Sequence, residues 1–261
     1  MKDIKVIIAI HKKFKIAQDK MYLPIQVGSE GKRDLGFQKD NEGDNISSKN
    51  PYYSELTGLY YAWKNVKADY IGLVHYRRYF TKKINTIKIS NRLDKVLTLK
   101  EADALLDKTD VILPKKRRYY IENLYSHYKH TMYVEPLDET RKIIQEKTPE
   151  YLKEFDKIKK RTSAHMFNMF IMKKEILNEY CEWLFPILEE LEKRIPPKNY
   201  NSFHARYIGR IAELLFDVWI NKNKISYKEV KVINIQRVNW YKKIIAFLKA
   251  KYLKEKYTES F

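Results

Sequence analysis

Tyr70-Ile71-Gly72-Leu73-Val74-His75-Tyr76-Arg77-Arg78 is the stretch on which the fold turns. From Tyr70 to Val74 no charge interrupts the run, which reads as a strand buried on both faces, as in a parallel sheet. Such sheets bind ligands beyond the carboxyl ends of their strands. His75, Arg77 and Arg78 are delivered to that end, and paired guanidinium groups match the geometry of phosphate oxygens. Tyr76, Tyr79 and Phe80 interleave these charges. The alternative is that Arg77 and Arg78 merely open a solvated loop.

Working outward, residues 5–10 read as a first strand. A helix over 50–65 follows, with Asn50 as N-cap, Pro51 at the first position, and Tyr52, Leu56, Leu59, Tyr60 and Trp63 as its apolar stripe. Thr98 and Glu101 form a capping box before a short helix, and 110–114 is the next strand. Strand, helix, strand, helix, strand predicts an α/β, Rossmann-like, mostly parallel sheet flanked by helices with right-handed crossovers. Beyond it lie helices over 121–130 and 137–159, broken near Thr148-Pro149, and a buried strand over 166–172. Helices over 174–194 and 203–221, separated by Pro196-Pro197, precede a last strand over 227–235. No repeat or low-complexity linker divides the chain, so the expectation is one domain over 1–236 and a helical tail over 237–261.

At 261 residues the chain has ample length for a core, and its single cysteine, Cys181, excludes an internal disulfide. Cys181 falls within a helical pattern and reads as a core thiol. The run 6–10 is too short for a signal peptide, and no stretch approaches the roughly 20 apolar residues of a membrane span. The expected location is therefore cytoplasmic, or peripheral on the inner face of the cell membrane. A net charge of +19 calls for an anionic partner, either nucleic acid, an anionic lipid surface or a phosphorylated substrate. In the tail, Trp240, Ile244, Phe247 and Leu248 share one helical face, surrounded by Lys242, Lys243, Lys249, Lys251, Lys254 and Lys256. That pattern fits an interfacial membrane helix or a terminal helix docked on the core.

Several segments, in order, resemble a bacterial family of capsular and exopolysaccharide glycosyltransferases long catalogued as a domain of unknown function. They are residues 43–50, Glu55-Leu56-Thr57, Ala62-Trp63-Lys64-Asn65, 70–80 with His75-Tyr76-Arg77-Arg78-Tyr79, Asp110-Val111-Ile112-Leu113-Pro114, Leu124-Tyr125-Ser126-His127-Tyr128, His165-Met166-Phe167-Asn168-Met169-Phe170 and 209–213. The resemblance implies a GT-A-like fold, a nucleotide-sugar donor and a lipid-linked acceptor such as an undecaprenyl-diphosphate saccharide. A UDP-hexose, galactose in pyranose or furanose form, is the donor the family brings to mind. A more distant similarity is to retaining GT-A enzymes of the glycogenin-like group, in which a strand ends in an Asp-x-Asp that holds a divalent metal. This chain departs from that pattern, with His75-Tyr76-Arg77-Arg78 where the Asp-x-Asp is expected.

Cleaving a sugar–diphosphate bond builds negative charge on the leaving group, which a metal or fixed cations must stabilise. Arg77 and Arg78, with His75, are positioned in sequence to do this without a cofactor. A Mg²⁺ or Mn²⁺ route remains through the acidic loop 40–44, whose alternative reading is a solvated turn. The donor is expected near Ile10, His11 and Lys12, with Tyr76, Asp44, Asn45 and Asn50 contributing. For an inverting transfer the acceptor hydroxyl needs a base, for which Glu55, Asp44 and Glu213 are the candidates; the sequence leaves retention and inversion both open. Glu55 shares a helix face with Gly58 and Ala62, small residues that allow close packing. Glu213 belongs to a stripe of Arg206, Arg210 and Asp217 that also fits a solvated ion-pair face. His127, His165 and Asn168 are candidate acceptor contacts, and His130 lies three residues from His127. Two other classes compete: a nucleic-acid-binding protein, which no helix-turn-helix, RRM or zinc pattern supports, and a non-catalytic polysaccharide assembly factor on the membrane.

Overall fold

The computed structural model describes residues 1–82, 92–236, 245–253 and 255–257. In chain order the first elements are β1 (Ile4–Ile10), β2 (Tyr22–Gln26), β3 (Gln38–Lys39), α1 (Asn50–Tyr53), α2 (Leu56–Asn65), β4 (Tyr70–His75), β5 (Arg78–Thr81), α3 (Leu99–Leu106) and β6 (Val111–Pro114). Next come β7 (Arg117–Arg118), α4 (Leu124–Thr131), α5 (Glu135–Lys147), α6 (Leu152–Lys160) and β8 (Ser163–Ala164). The chain continues with β9 (Phe170–Lys173), α7 (Lys174–Arg194), α8 (Tyr207–Lys222) and β10 (Lys228–Asn234).

Two compact units interleave along the sequence. Unit 1 comprises 1–115, 167–182 and 225–237; unit 2 comprises 116–166, 183–224 and 238–261. The C-terminal segment thus groups with the middle of the chain, where the sequence suggested a domain ending at 236 and a separate tail.

Unit 1 holds an eight-stranded sheet in the order β3-β2-β1-β4-β5-β10-β6-β9. β9 also pairs with β4, so the sheet closes on itself. The sheet is mixed: among the described residues four ladders are parallel (β1–β2, β1–β4, β2–β3, β6–β10) and four antiparallel (β5–β10, β4–β5, β4–β9, β6–β9). The expectation of a mostly parallel sheet fails at β5 and β9. The chain reverses tightly after His75, and His75 pairs with Arg78, so the expected loop is a hairpin with Tyr76-Arg77 at its tip. Gly72 is required where β4 meets β9, since a Cβ there would lie 2.8 Å from the Phe170 carbonyl. The central strands are apolar throughout: Val6, Ile7, Ile8 and Ile10 of β1 and Ile71, Leu73 and Val74 of β4 are buried, each contributing roughly 1.5–3 kcal/mol.

The helix expected over 50–65 is broken. Ser54 adopts φ 54°, a left-handed conformation that an L-residue resists, and Glu55 follows it to open α2. Asn50 does not act as the N-cap; its Nδ2 reaches forward to the Ser54 carbonyl (2.7 Å) and Thr57 Oγ1 (3.2 Å) and braces this break. The Thr98–Glu101 capping box opens α3 as expected.

Unit 2 is mainly helical, with the two-stranded β7–β8 ribbon. The helical middle is three helices, since the chain turns at Met132–Val134 and again at Pro149–Tyr151. α8 is buried along most of its length, including Asp217. No helix among the described residues is long and apolar enough to cross a membrane.

Candidate functional site

β1 and β4 run parallel, so their carboxyl ends, Ile10 and His75, lie on one edge of the sheet. α2 leads from β3 into β4 and ends where β4 begins, so it starts at that edge. Glu55 therefore stands at the strand ends, while the far end of α2 lies about 15 Å away at 1.5 Å per residue.

Around Glu55 the structure gathers a compact polar network. Asn168 Nδ2 donates to Glu55 Oε1 at 2.7 Å, and His75 Nε2 lies 4.0 Å from the same oxygen. His75 Nε2 is 2.7 Å from the Phe167 carbonyl, which can only accept, so Nε2 carries the proton. Burial pushes the His75 imidazole below its ordinary value, against the opposing pull of Glu55. The ring is thereby neutral near pH 7, with hydrogen on Nε2. Phe167 and Asn168 both have positive φ, 81° and 50°. This explains why the strand expected over 166–172 begins only at Phe170. It also places three of the four described non-glycine residues of positive φ (Ser54, Phe167, Asn168) beside or opposite one carboxylate. Backbone strain of about 1–3 kcal/mol per residue is typical of functional sites. Gly58 lies against Val27 (2.9 Å from an added Cβ), so α2 packs closely and the Glu55 side chain is only 14% exposed.

A second cluster adjoins it on the hairpin. The buried Tyr76 ring meets His11 edge-on (centroids 5.1 Å) and Phe14 (5.1 Å). Lys12 Nζ lies 5.7 Å and the Arg77 guanidinium 5.3 Å from that ring's centroid. Arg78 stacks 4.6 Å from the Phe167 ring centroid. Lys12, Arg77 and Arg78 thus lie against aromatic rings near the carboxyl ends of β1 and β4. Ile10 ends β1, its carbonyl accepting the Val27 N–H at 2.8 Å.

Other expected residues are placed elsewhere. Asp44 lies at the opposite end of α2 from Glu55, with its carbonyl accepting from Asn65 (2.8 Å) and its Oδ1 from Tyr60 (3.2 Å). Asn45 forms a local turn with Gly43 and Ser47. The acidic loop is not an open ligand set: buried Asp40 accepts from the Gly28 and Ser29 backbone and from the Ser29 and Ser47 hydroxyls. Among the described residues no group of three or more His, Cys, Asp and Glu side chains is arranged to hold a metal.

In unit 2, His127, His130 and His165 are held by carboxylates. Glu122, which the sequence did not single out, accepts from Nδ1 of both His127 and His130 at 2.8 Å. Burial lowers the His127 pKa to about 4, although Glu122 pulls the other way. Asp217 accepts from the His165 backbone N–H (3.1 Å) and from its Nδ1, with both side chains buried. The stripe of Arg206, Arg210, Glu213 and Asp217 is therefore not a solvated ion-pair face. Asp217 points inward, and Arg210 stacks on Phe203 at 4.1 Å. Glu213 is partly buried within unit 2, where its charge helps raise the Tyr119 pKa, secondary to burial.

The fold is similar to that of a solved glycosyltransferase. The chain is similar to the structure of the bifunctional glycosyltransferase WbbM in its apo form, with TM-score 0.82 and 30% sequence identity over 90% of the chain. It spans 46% of the WbbM chain, and no curated protein matches it. Residues 5–224 match the family described as Domain of unknown function (DUF4422), and the chain belongs to that family.

Proposed function

We propose that the chain is a glycosyltransferase that transfers a hexose from a nucleotide-sugar donor, UDP-linked in the first instance, to a lipid-linked saccharide such as an undecaprenyl-diphosphate oligosaccharide of a capsule or exopolysaccharide. The observation that carries this reading is a carboxylate held by an amide (Glu55–Asn168, 2.7 Å) on the edge where Lys12 and Arg77 converge on Tyr76. One cluster supplies a base and the other an anion site, the two groups that sugar transfer from a diphosphate requires.

In this reading the donor diphosphate lies along Lys12 and Arg77, with Arg78 behind on Phe167 and His11 and Tyr76 walling the nucleotide side. As the glycosidic oxygen departs, charge grows on the diphosphate and the fixed cations stabilise it. Glu55 takes the acceptor hydroxyl's proton as that oxygen attacks the anomeric carbon. Asn168 holds one carboxylate oxygen, and Glu55 follows directly on the positive-φ Ser54. The neutral His75 supports the Phe167 carbonyl and adds no competing cation. A metal bound as in Asp-x-Asp enzymes does not fit these residues, because the strand end offers imidazole and guanidinium groups where carboxylates would be needed. We accordingly assign the leaving-group charge to Arg77, Arg78 and Lys12, with no cofactor.

The test is a thermal-shift and hydrolysis screen against UDP-, GDP-, CMP- and dTDP-sugars, with Mn²⁺ or with chelator. Stabilisation by one nucleotide sugar and its slow hydrolysis are expected. No response to any of them would overturn the reading.

A further inference from the structure

The C-terminal segment of unit 2 has two apolar faces. One is turned inward: Phe247 stacks with His127 (centroids 5.8 Å), Ala250 is buried, and Lys256 Nζ donates to the carbonyls of Lys129 (3.1 Å) and Met132 (2.7 Å) at the end of α4. The Tyr257 N–H donates to the Thr131 carbonyl at 3.3 Å. These contacts fasten the segment. The other face is turned to solvent: Ile245, Leu248, Tyr252 and Leu253 are 37%, 43%, 69% and 63% exposed. Steps of three and four residues put Ile245, Leu248 and Tyr252 on one side of the helix. The face expected from sequence is therefore split, because Phe247 belongs to the docked side; Trp240 and Ile244 lie outside the described residues.

Exposed large apolar side chains are concentrated here. Of the eight such residues described, six are these four plus Tyr120 and Ile121, which are 88% and 64% exposed. Tyr119, the neighbour of Tyr120, packs on His127 (4.3 Å), and His127 stacks on Phe247, so one column of rings ties the 119–121 loop to the helix. The exposed charges beside these residues are mainly positive; Glu122, which follows Ile121, is turned inward onto His127 and His130 with its side chain 5% exposed. Lys249 and Lys251 lie within the helix and no acid does, and Lys116, Arg117 and Arg118 precede the loop. Glu255, which meets Lys249 at 3.6 Å, is the acid nearest to the helix in sequence.

We propose that this face, Ile245, Leu248, Tyr252 and Leu253 with the Tyr120–Ile121 loop beside it, docks unit 2 on an anionic lipid bilayer. The apolar side chains enter the headgroup–acyl boundary while the lysines and arginines meet lipid phosphates. Charge complementarity selects this occupant, since a second copy of the face would set lysine against lysine. Docking would bring the enzyme to the lipid-linked acceptor, and to that extent it rests on the proposed function; the geometry of the face does not.

The experiment is co-sedimentation of the full chain with vesicles of phosphatidylcholine alone or with 30% phosphatidylglycerol. It is paired with the donor thermal shift on the same preparations and a melting curve for each variant. Wild type is expected to bind the anionic vesicles at least tenfold more tightly than the neutral ones. Leu248→Asp/Tyr252→Asp is expected to reduce that binding more than tenfold with its melting transition and donor response intact. Lys249→Gln/Lys251→Gln, which leaves the apolar face in place, is expected to remove most of the preference for anionic lipid. Undiminished vesicle binding by folded Leu248→Asp/Tyr252→Asp would overturn the proposal. So would a concentration-dependent dimer that this variant abolishes, which would make the face a contact between copies. Vesicle binding without any donor response would leave the docking face standing and remove the transferase reading.

Discussion

The two units treat ionisable side chains in opposite ways. In unit 2 each carboxylate beside a histidine is saturated: Glu122 takes both imidazoles of α4, and Asp217 takes the backbone and side chain of His165. In unit 1, Glu55 is held by a neutral amide, its nearest imidazole nitrogen stands at 4.0 Å, and that ring is kept neutral by burial. A buried carboxylate whose oxygens are taken up by hydrogen bonds from within the fold is a structural group. A carboxylate held at a strand end by a single amide is placed to meet a substrate hydroxyl.

The sharpest way to break this contrast is Glu55→Gln. It preserves shape and the contact to Asn168 while removing the base, so transfer is expected to fall about 10³-fold, within the range for a general base, with the donor thermal shift retained. Asp217→Ala is expected to do the reverse, costing about 3–4 kcal/mol of stability in urea unfolding, as breaking a buried pair does, with no direct chemical role. The His127 pKa, lowered to about 4 in the folded chain, gives the third test. A histidine depressed below its unfolded value near 6.5 stabilises nothing by charging. Its stability contribution is complete above that value and is lost as pH falls from about 6.5 toward 4, by about 3 kcal/mol at most. His127→Gln should flatten this part of the urea-midpoint profile. Next in size is Arg77→Ala, expected to lower turnover more than about tenfold, since ~1.4 kcal/mol of lost electrostatic stabilisation is tenfold. The smallest effect separates geometry from stability. Asn168→Gly suits the left-handed backbone yet removes the hold on Glu55, so kcat should drop a few-fold while the melting temperature stays level or rises.

How much of this was legible beforehand follows from the range of each interaction. The strand at 70–74 and the small-residue face of α2 are local patterns, and they located the strand edge and Glu55's enclosure. β5 and β9 were harder to read because their antiparallel pairing depends on residues more than ninety positions apart in the case of β4 and β9. Ser54, Phe167 and Asn168 carry no glycine to advertise a positive φ, so both breaks were read as continuous elements. Asn50 was taken as a cap because a side-chain oxygen before a proline is the usual sign of one; only the Ser54 turn gives its amide another use. Glu122 carries no signal in sequence because an acid near a histidine is common, and Asp217 reads only as part of a charged stripe because its partner His165 is 52 residues away. Their significance comes from burial, which the spacing alone did not reveal.

The central claim is that sugar transfer at the unit 1 strand edge runs on fixed cations and the Glu55 carboxylate. The most direct measurement is turnover of the stabilising nucleotide sugar by wild type and Arg77→Ala in excess EDTA and again with Mn²⁺ restored. The account predicts that wild-type turnover is unchanged by chelation and that the arginine variant is slow under both conditions. Wild-type turnover that disappears in EDTA and returns with Mn²⁺ would contradict it.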